Sequence, residues 1–408
     1  MRERLIVFLK TQPWILRTIW IIARGILWFF VKITKQKKSV LFCSFGGRNF
    51  NDSPKAIYEE ICRRDEFQGW RLVWAFVDPE KFNIPRGEKV KVDTFVFFKA
   101  LVTSKIWVSN SGMDRGIDLI TDKIVRVETW HGTPLKKIGG EENQNTFGIK
   151  PEDYKGPIDT SAIRCAQSEF DREIFARVFH ANKESILLSD LPRNDELFNY
   201  TDEDCIAIRR SLGIDKEKKV ILYTPTYREY LINDNSQNYI APPIDLERWK
   251  IELGEDYILL VRAHYAVSAA LGIIDNEFVK DVSTYRSLND LFAISDMMIS
   301  DYSSTYFDYS ILDRPMLCFA YDKDVYEEKR GLYLDLENDL PCRVCRTEDE
   351  LLSEIKSLDY TMAANAAKAF HEKYAPFAGN ASRIVVDTII KKQNENQNSG
   401  QLSWFSRW

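Results

Sequence analysis

Ile124-Val-Arg-Val-Glu-Thr129 runs directly into Trp130-His-Gly-Thr-Pro134 and then Leu135-Lys-Lys-Ile138. The β-branched run predicts a strand, and Gly132 and Pro134 predict that it ends in a turn. A strand closing on His-Gly-Thr-Pro sets the imidazole of His131, one of four histidines in 408 residues, at the carboxyl edge of a sheet. Open α/β sheets bind their ligands along that edge. An imidazole, with an ordinary pKa of about 6.5, can accept a proton near neutral pH, so His131 is the candidate general base. A lone His-Gly more often marks a histidine that caps a loop, and the rest of the chain decides between the two.

Working outward, Ser39-Val-Leu-Phe-Cys-Ser44 reads as a buried strand, Phe45-Gly-Gly-Arg-Asn49 as a glycine turn, and Asp52 to Ile61 as a helix with an N-cap and an early proline. Strands are expected at Arg71 to Val77, Ile106 to Ser109 and Ile163 to Ser168, with helices at Thr94 to Thr103 and Glu169 to Phe179. Such alternation predicts a parallel, doubly wound sheet. Gly46-Gly47 lacks the full dinucleotide fingerprint, so no nicotinamide or flavin is expected. A second α/β unit begins at Lys219, where the strand stops at Pro225 and puts Thr226 and Arg228 at the sheet edge. Tyr257 to His264 carries Arg262 and His264 out of an apolar run. Asp296 to Ile299 is a strand leading into the hydroxyl-rich helix start Ser300-Asp-Tyr-Ser-Ser-Thr305, and Thr361 to Lys392 reads as one long helix returning to the first domain. The expected organisation is therefore an N-terminal segment 1–38, Rossmann-like domains at 39–200 and 201–360, the returning helix 361–392, and a polar and aromatic tail 393–408.

An apolar content of 45% with 29% charged residues describes a globular chain, and a net charge of -5 argues against a nucleic-acid partner. Seven scattered cysteines fit reduced thiols. Cys342-Arg-Val-Cys345 has the spacing of half a zinc site but no second half, and reads as strand packing. The first 38 residues contain a single acid, Glu3, while Lys10, Arg17 and Arg24 recur every seven residues and so share a helical face. No apolar run reaches the ~20 residues of a membrane span. This segment is expected to be an amphipathic helix lying in an anionic membrane surface, with Trp14, Trp20 and Trp28 at headgroup depth.

In the second half, Asp301, Ser303 and Ser304 offer an N-cap, hydroxyls and backbone N–H groups, and Arg228 and Arg262 offer cations. Thr226 lies beside them, and His264 can donate to a leaving oxygen. Together they suggest a bound diphosphate.

Trp130-His-Gly-Thr-Pro134, Pro192-Arg-Asn-Asp195, Tyr223-Thr-Pro-Thr-Tyr-Arg228, Arg262-Ala-His264, Ser300-Asp-Tyr-Ser-Ser304, Phe307-Asp-Tyr309 and Arg314-Pro315 resemble, in order, the motifs of the CDP-glycerol glycerophosphotransferases of teichoic acid synthesis. The chain departs at Ser189-Asp-Leu191, where the family leads one to expect a glycine. The resemblance implies an α/β, GT-B-like architecture of two Rossmann-like domains with an interdomain cleft, and peripheral attachment at the cytoplasmic face of a bacterial membrane. It further implies transfer of polyol phosphate from a CDP-polyol donor to a lipid-linked saccharide or polyol-phosphate acceptor. Carried over, His131 is the base and His264 a second catalytic group. Arg228, Arg262, Thr226, Asp301, Ser303 and Ser304 serve the donor. No cofactor is required by this reading, and a Mg²⁺ on the donor diphosphate stays open, as does association of the chain with itself. CDP-ribitol as donor, a capsule glycosyltransferase on the same scaffold and a non-catalytic membrane adaptor are the rival readings.

Overall fold

The computed structural model describes residues 13–113, 121, 123–143, 162–228, 241–264, 267–268 and 271–405. The first sheet contains β1 (Lys37–Cys43), β2 (Arg71–Phe76), β3 (Glu88–Lys91), β4 (Ser104–Ser109), β5 (Val125–Glu128), β6 (Ala162–Ala166) and β7 (Ile186–Leu188), in the order β3-β2-β1-β4-β5-β6-β7. The second contains β8 (Lys219–Thr224), β9 (Tyr257–Val261), β10 (Val279–Asp281), β11 (Met297–Ser300), β12 (Met316–Phe319) and β13 (Val344–Cys345), in the order β10-β9-β8-β11-β12-β13. The pairings of β1 with β2 and β4, and of β8 with β9 and β11, are parallel. Their central strands are buried without alternation: Val40 to Phe42 and Val220 to Leu222 are fully inaccessible. Continuous apolar runs are what a parallel sheet covered on both faces requires, and each such side chain contributes about 1.5–3 kcal/mol through burial.

Strand order reverses beside β1 and β4 in one sheet and beside β8 and β11 in the other. These are the switch points at whose carboxyl ends doubly wound sheets take ligands. Phe45 and Asn110 follow β1 and β4; Thr226 and Asp301 follow β8 and β11.

The chain divides into two compact units, Met1–His131 with Asp159–Cys165 and Ser382–Trp408 in one, Gly132–Ile158 with Ala166–Ala381 in the other. The long C-terminal helix is two helices, Tyr360–Tyr374 and Ala381–Phe405. Pro376 lies in the break, where a missing N–H and a ring clash end a helix. The polar stretch expected as a linker from Gln393 continues the second of them. Cys345 is buried in β13, in register with Phe319, as strand packing predicts.

The helix Pro13–Ile33 seats Leu27 and Val31, one turn apart, on the core formed by Leu41, Val73 and Phe97. Ile22, Ile26, Phe29 and Ile33 recur at steps of four, three and four, and all are exposed. They form a second apolar stripe roughly 150° around the helix from that seam. Lys10 lies outside the described residues. Among the described residues no helix is long and apolar enough to cross a membrane.

Candidate active site

His131 is half-buried, and the preceding Trp130 turns the backbone at a φ of 56°. That left-handed conformation is costly for a bulky residue and is found where a site over-determines it. The Trp130 ring stacks on the imidazole at 4.1 Å, with Phe45 at 5.9 Å. Imidazole Nδ1 lies 3.0 Å from the backbone oxygen of Asn110. A carbonyl only accepts, so Nδ1 carries the hydrogen and Nε2 the lone pair. Asn110 is itself buried and locked, its side chain accepting from Phe45 N at 2.8 Å and donating to Asp52 at 3.0 Å. Sequence reasoning missed Asn110, although an amide directly behind the apolar strand β4 is the kind of residue that ends a strand for a purpose.

At the ends of β8 and β11 two residues expected to serve the donor are held by other groups of the protein. Arg228 is buried, and its guanidinium donates through Nε and Nη2 to Asp322 at 2.7 and 2.8 Å and through Nη1 to Asp301 at 2.8 Å. Burial alone would lower its pKa, but the two carboxylates hold it above the ordinary arginine value. Rings of Tyr302, Tyr321 and Tyr326 surround it at 4.9 to 5.3 Å. A cation so enclosed needs its carboxylates to stay buried. Asp301, expected as an N-cap, instead accepts from Thr226 N at 2.9 Å and Tyr302 N at 2.7 Å, tying the two strand ends together. The Thr226 hydroxyl is buried without a partner. The N-cap position belongs to Ser304, whose side chain caps nothing, and the helix Thr305–Ser310 is short.

Arg262 differs in kind from Arg228. It is half-buried behind β9, donates to the Tyr285 carbonyl at 2.6 Å, and no carboxylate pairs with it among the described residues. Burial depresses its pKa, the mark of a cation lacking a counter-charge. His264 is exposed and stacks on Tyr227 at 4.2 Å.

Gly132 has a φ of 146°, and a Cβ built there would stand 2.6 Å from Ser304 Oγ and 3.5 Å from Arg193 Nη2. Only glycine permits that approach. Beneath it lies a largely buried polar network. Arg193 Nη2 donates to Asp308 at 2.6 Å, and Asn194 Nδ2 to Asp308 at 3.0 Å and Asp190 at 3.2 Å. Thr133 Oγ1 sits 2.7 Å from Gln167 Oε1 and 2.9 Å from Asp171 Oδ2. Asp190 has a φ of 64°, so the departure at Ser189-Asp-Leu191 retains the left-handed turn that a glycine would make, which aspartate tolerates. Among the described residues no group of three or more His, Cys, Asp or Glu side chains is placed to hold a metal.

Residues 27–391 match the family model of the CDP-glycerol:poly(glycerophosphate) glycerophosphotransferases. The chain belongs to this family. The teichoic acid poly(glycerol phosphate) polymerase of Staphylococcus epidermidis is 36% identical over 377 residues, covering 88% of this chain and 51% of that protein. The chain thus spans about half the length of that relative. The teichoic acid glycerol-phosphate transferase of Staphylococcus aureus is 32% identical over 375 residues, 87% of this chain and 94% of the other. The solved wall teichoic acid polymerase TagF superposes with a TM-score of 0.81 at 32% identity, covering 97% of this chain and 99% of TagF. A histidine-to-asparagine variant of TagF soaked with CDPG gives 0.80 at 32% identity, covering 94% and 97%. This member of the glycerophosphotransferase family therefore carries two parallel α/β sheets and is structurally similar to TagF.

Proposed function

We propose that this chain transfers a polyol phosphate, with glycerol phosphate as the first choice, from a CDP-polyol to a hydroxyl of a lipid-linked acceptor in teichoic acid or related polymer synthesis. His131 Nε2 takes the acceptor's proton as its oxygen attacks the β-phosphorus. The P–O bond to cytidine monophosphate breaks, and CMP leaves with the electron pair. Negative charge spreads over the phosphoryl oxygens in such a transfer, so catalysis rests on fixed positive groups. Arg262 supplies the cation, the hydroxyls of Ser303 and Ser304 supply donors, and His264 donates to the leaving oxygen. Arg228 and Asp301 hold the strand ends on which those groups stand.

The observation that carries this reading is Arg262, a half-buried guanidinium with two carbonyls near it and no carboxylate among the described residues. Such a charge is stable only if an anion completes it. The exposed stripe Ile22, Ile26, Phe29 and Ile33 supports peripheral binding at the cytoplasmic membrane face. The deciding experiment follows CMP release from CDP-glycerol, CDP-ribitol and a UDP-sugar, each with and without EDTA. Turnover with the UDP-sugar alone would overturn the phosphotransferase reading, and loss of turnover in EDTA would assign a metal to the donor.

A further inference from the structure

One nitrogen of Arg262 carries all the hydrogen bonds that hold its guanidinium. Nη1 donates to the Tyr285 carbonyl at 2.6 Å and lies 3.5 Å from that of Val282, and among the described residues Nε and Nη2 have no hydrogen-bond partner. Those two nitrogens form the edge of the fork that makes paired bonds to a phosphate. Where that edge lies depends on where a single loop carbonyl lies. Tyr285 N donates to Val282 O at 3.0 Å and closes the turn, but a surface loop is a soft support unless something outside it holds it still.

A carboxylate that the proposed reaction does not use does this. Tyr285 Oη donates to Asp290 Oδ2 at 3.1 Å, and Tyr200 Oη donates to Asp290 Oδ1 at 2.5 Å. The two rings pack against the core that contains Leu260 and Phe292, so each has an apolar body fixed by packing and a polar tip fixed by the same acid. Burial foremost, then Asp290, raises both phenols above the ordinary tyrosine value, and each keeps the hydrogen it donates.

Asp290 is itself anchored. It stands in the first turn of the helix Leu288–Ile294, where its backbone N donates to the capping Ser287 Oγ at 3.1 Å. Its neighbour Asn289 donates through Nδ2 to Arg193 O at 2.8 Å and to Glu196 at 3.2 Å. With Leu291, Phe292 and Ile294 buried behind it, this helix start is a rigid platform, the kind of support that fixes a binding group's direction.

The geometry points to Asp290 as a positioning residue for the donor: it holds the Tyr285 phenol, the Tyr285 carbonyl holds Arg262 Nη1, and Nε with Nη2 are left for the phosphate. This rests on the reading of Arg262 as the donor's cation. Without the carboxylate the Tyr285 turn loosens, and Arg262 must be ordered by the ligand when it binds, which lowers affinity.

The test measures the dissociation constant of CDP-glycerol by equilibrium dialysis for Arg262→Ala, Asp290→Ala, Tyr285→Phe and the double variant of Arg262→Ala with Asp290→Ala. Arg262→Ala removes charged hydrogen bonds and should weaken binding by about tenfold to a hundredfold. Asp290→Ala and Tyr285→Phe should each weaken it by about threefold to tenfold, yet Asp290→Ala should add less than about twofold once Arg262 is gone, because residues that act through one group do not add. A loop that merely lost stability would lower the melting midpoint without this dependence on Arg262. If Asp290→Ala fails to fold, Tyr285→Phe, which deletes one oxygen and keeps the ring's packing, completes the same cycle with Arg262→Ala. An undiminished effect of Asp290→Ala in the Arg262→Ala background, or unaltered affinity in both Asp290→Ala and Tyr285→Phe, overturns the positioning role. Unaltered affinity in Arg262→Ala itself would instead remove the donor cation on which that role rests.

Discussion

Replacing Arg228 by methionine separates two accounts of the same residue. If its guanidinium faced the donor, the variant would bind CDP-polyol poorly and fold normally. The structure places it between Asp301 and Asp322, with four hydrogen bonds to carboxylates and the Thr226 carbonyl. Its side chain is 4% exposed, that of Asp301 1% and that of Asp322 17%. Removing one partner of a buried pair strands the others, at a cost of about 3–5 kcal/mol. Loss of the surrounding tyrosine contacts adds about 1 kcal/mol. For a unit of this size each kcal/mol moves the melting midpoint by about 2–4 °C, so a fall of about 8–24 °C is expected in calorimetry. Donor KM, measured well below that midpoint, should change little. Combining Arg228→Met with Asp301→Asn and Asp322→Asn should restore part of the loss, because the stranded charges are gone. An unchanged midpoint together with a donor KM raised tenfold or so would refute the burial argument and return Arg228 to the ligand.

Burial raises the pKa of Asp171, and the shift has a sign in stability. A buried acid moved from 3.8 to about 7 contributes stability that is complete below about pH 4 and is lost as pH rises through about 7, up to about 4 kcal/mol. Chemical denaturation should therefore find the unaltered chain losing stability relative to Asp171→Asn as pH rises from about 4 to about 8; the reverse trend would refute the burial assignment. His131→Ala should lose turnover by orders of magnitude while equilibrium dialysis shows donor binding preserved, and equal loss of both would make His131 a binding residue. Ile22→Ser, Ile26→Ser and Phe29→Ser together should leave the fold intact, since none touches the core, and release the chain from anionic liposomes; unchanged co-sedimentation would refute the membrane-facing stripe.

Both sheets were legible because buried parallel strands write themselves as apolar runs ended by turn residues, as at Val40 to Cys43 and Val220 to Thr224. The broken C-terminal helix was legible as well: Pro376 and Gly379 stood in the expected helix from Thr361 to Lys392, and the apolar periodicity outweighed them. That His131 and the loop Ser303-Ser304 stand just behind strands was legible as well. Arg228 and Arg262 look alike in sequence, each a cation just past a strand. What distinguishes them is Asp322, 94 residues from Arg228 in the chain, and no local pattern encodes a partner at that separation. The acids Asp171, Asp190 and Asp308 were hidden for a related reason. A carboxylate in a polar-looking segment is ordinarily on the surface, and only the tertiary fold reveals that these three share an interior.

Gly132 makes two loops mechanically inseparable. With a missing methyl as the only clearance between its backbone and Ser304, a ligand that pulls the serine aside frees the glycine to follow, and one that presses it inward pushes the glycine back. His131 is the next link in the chain. A displacement of the hydroxyl loop is thereby felt, through a single peptide bond, by the imidazole.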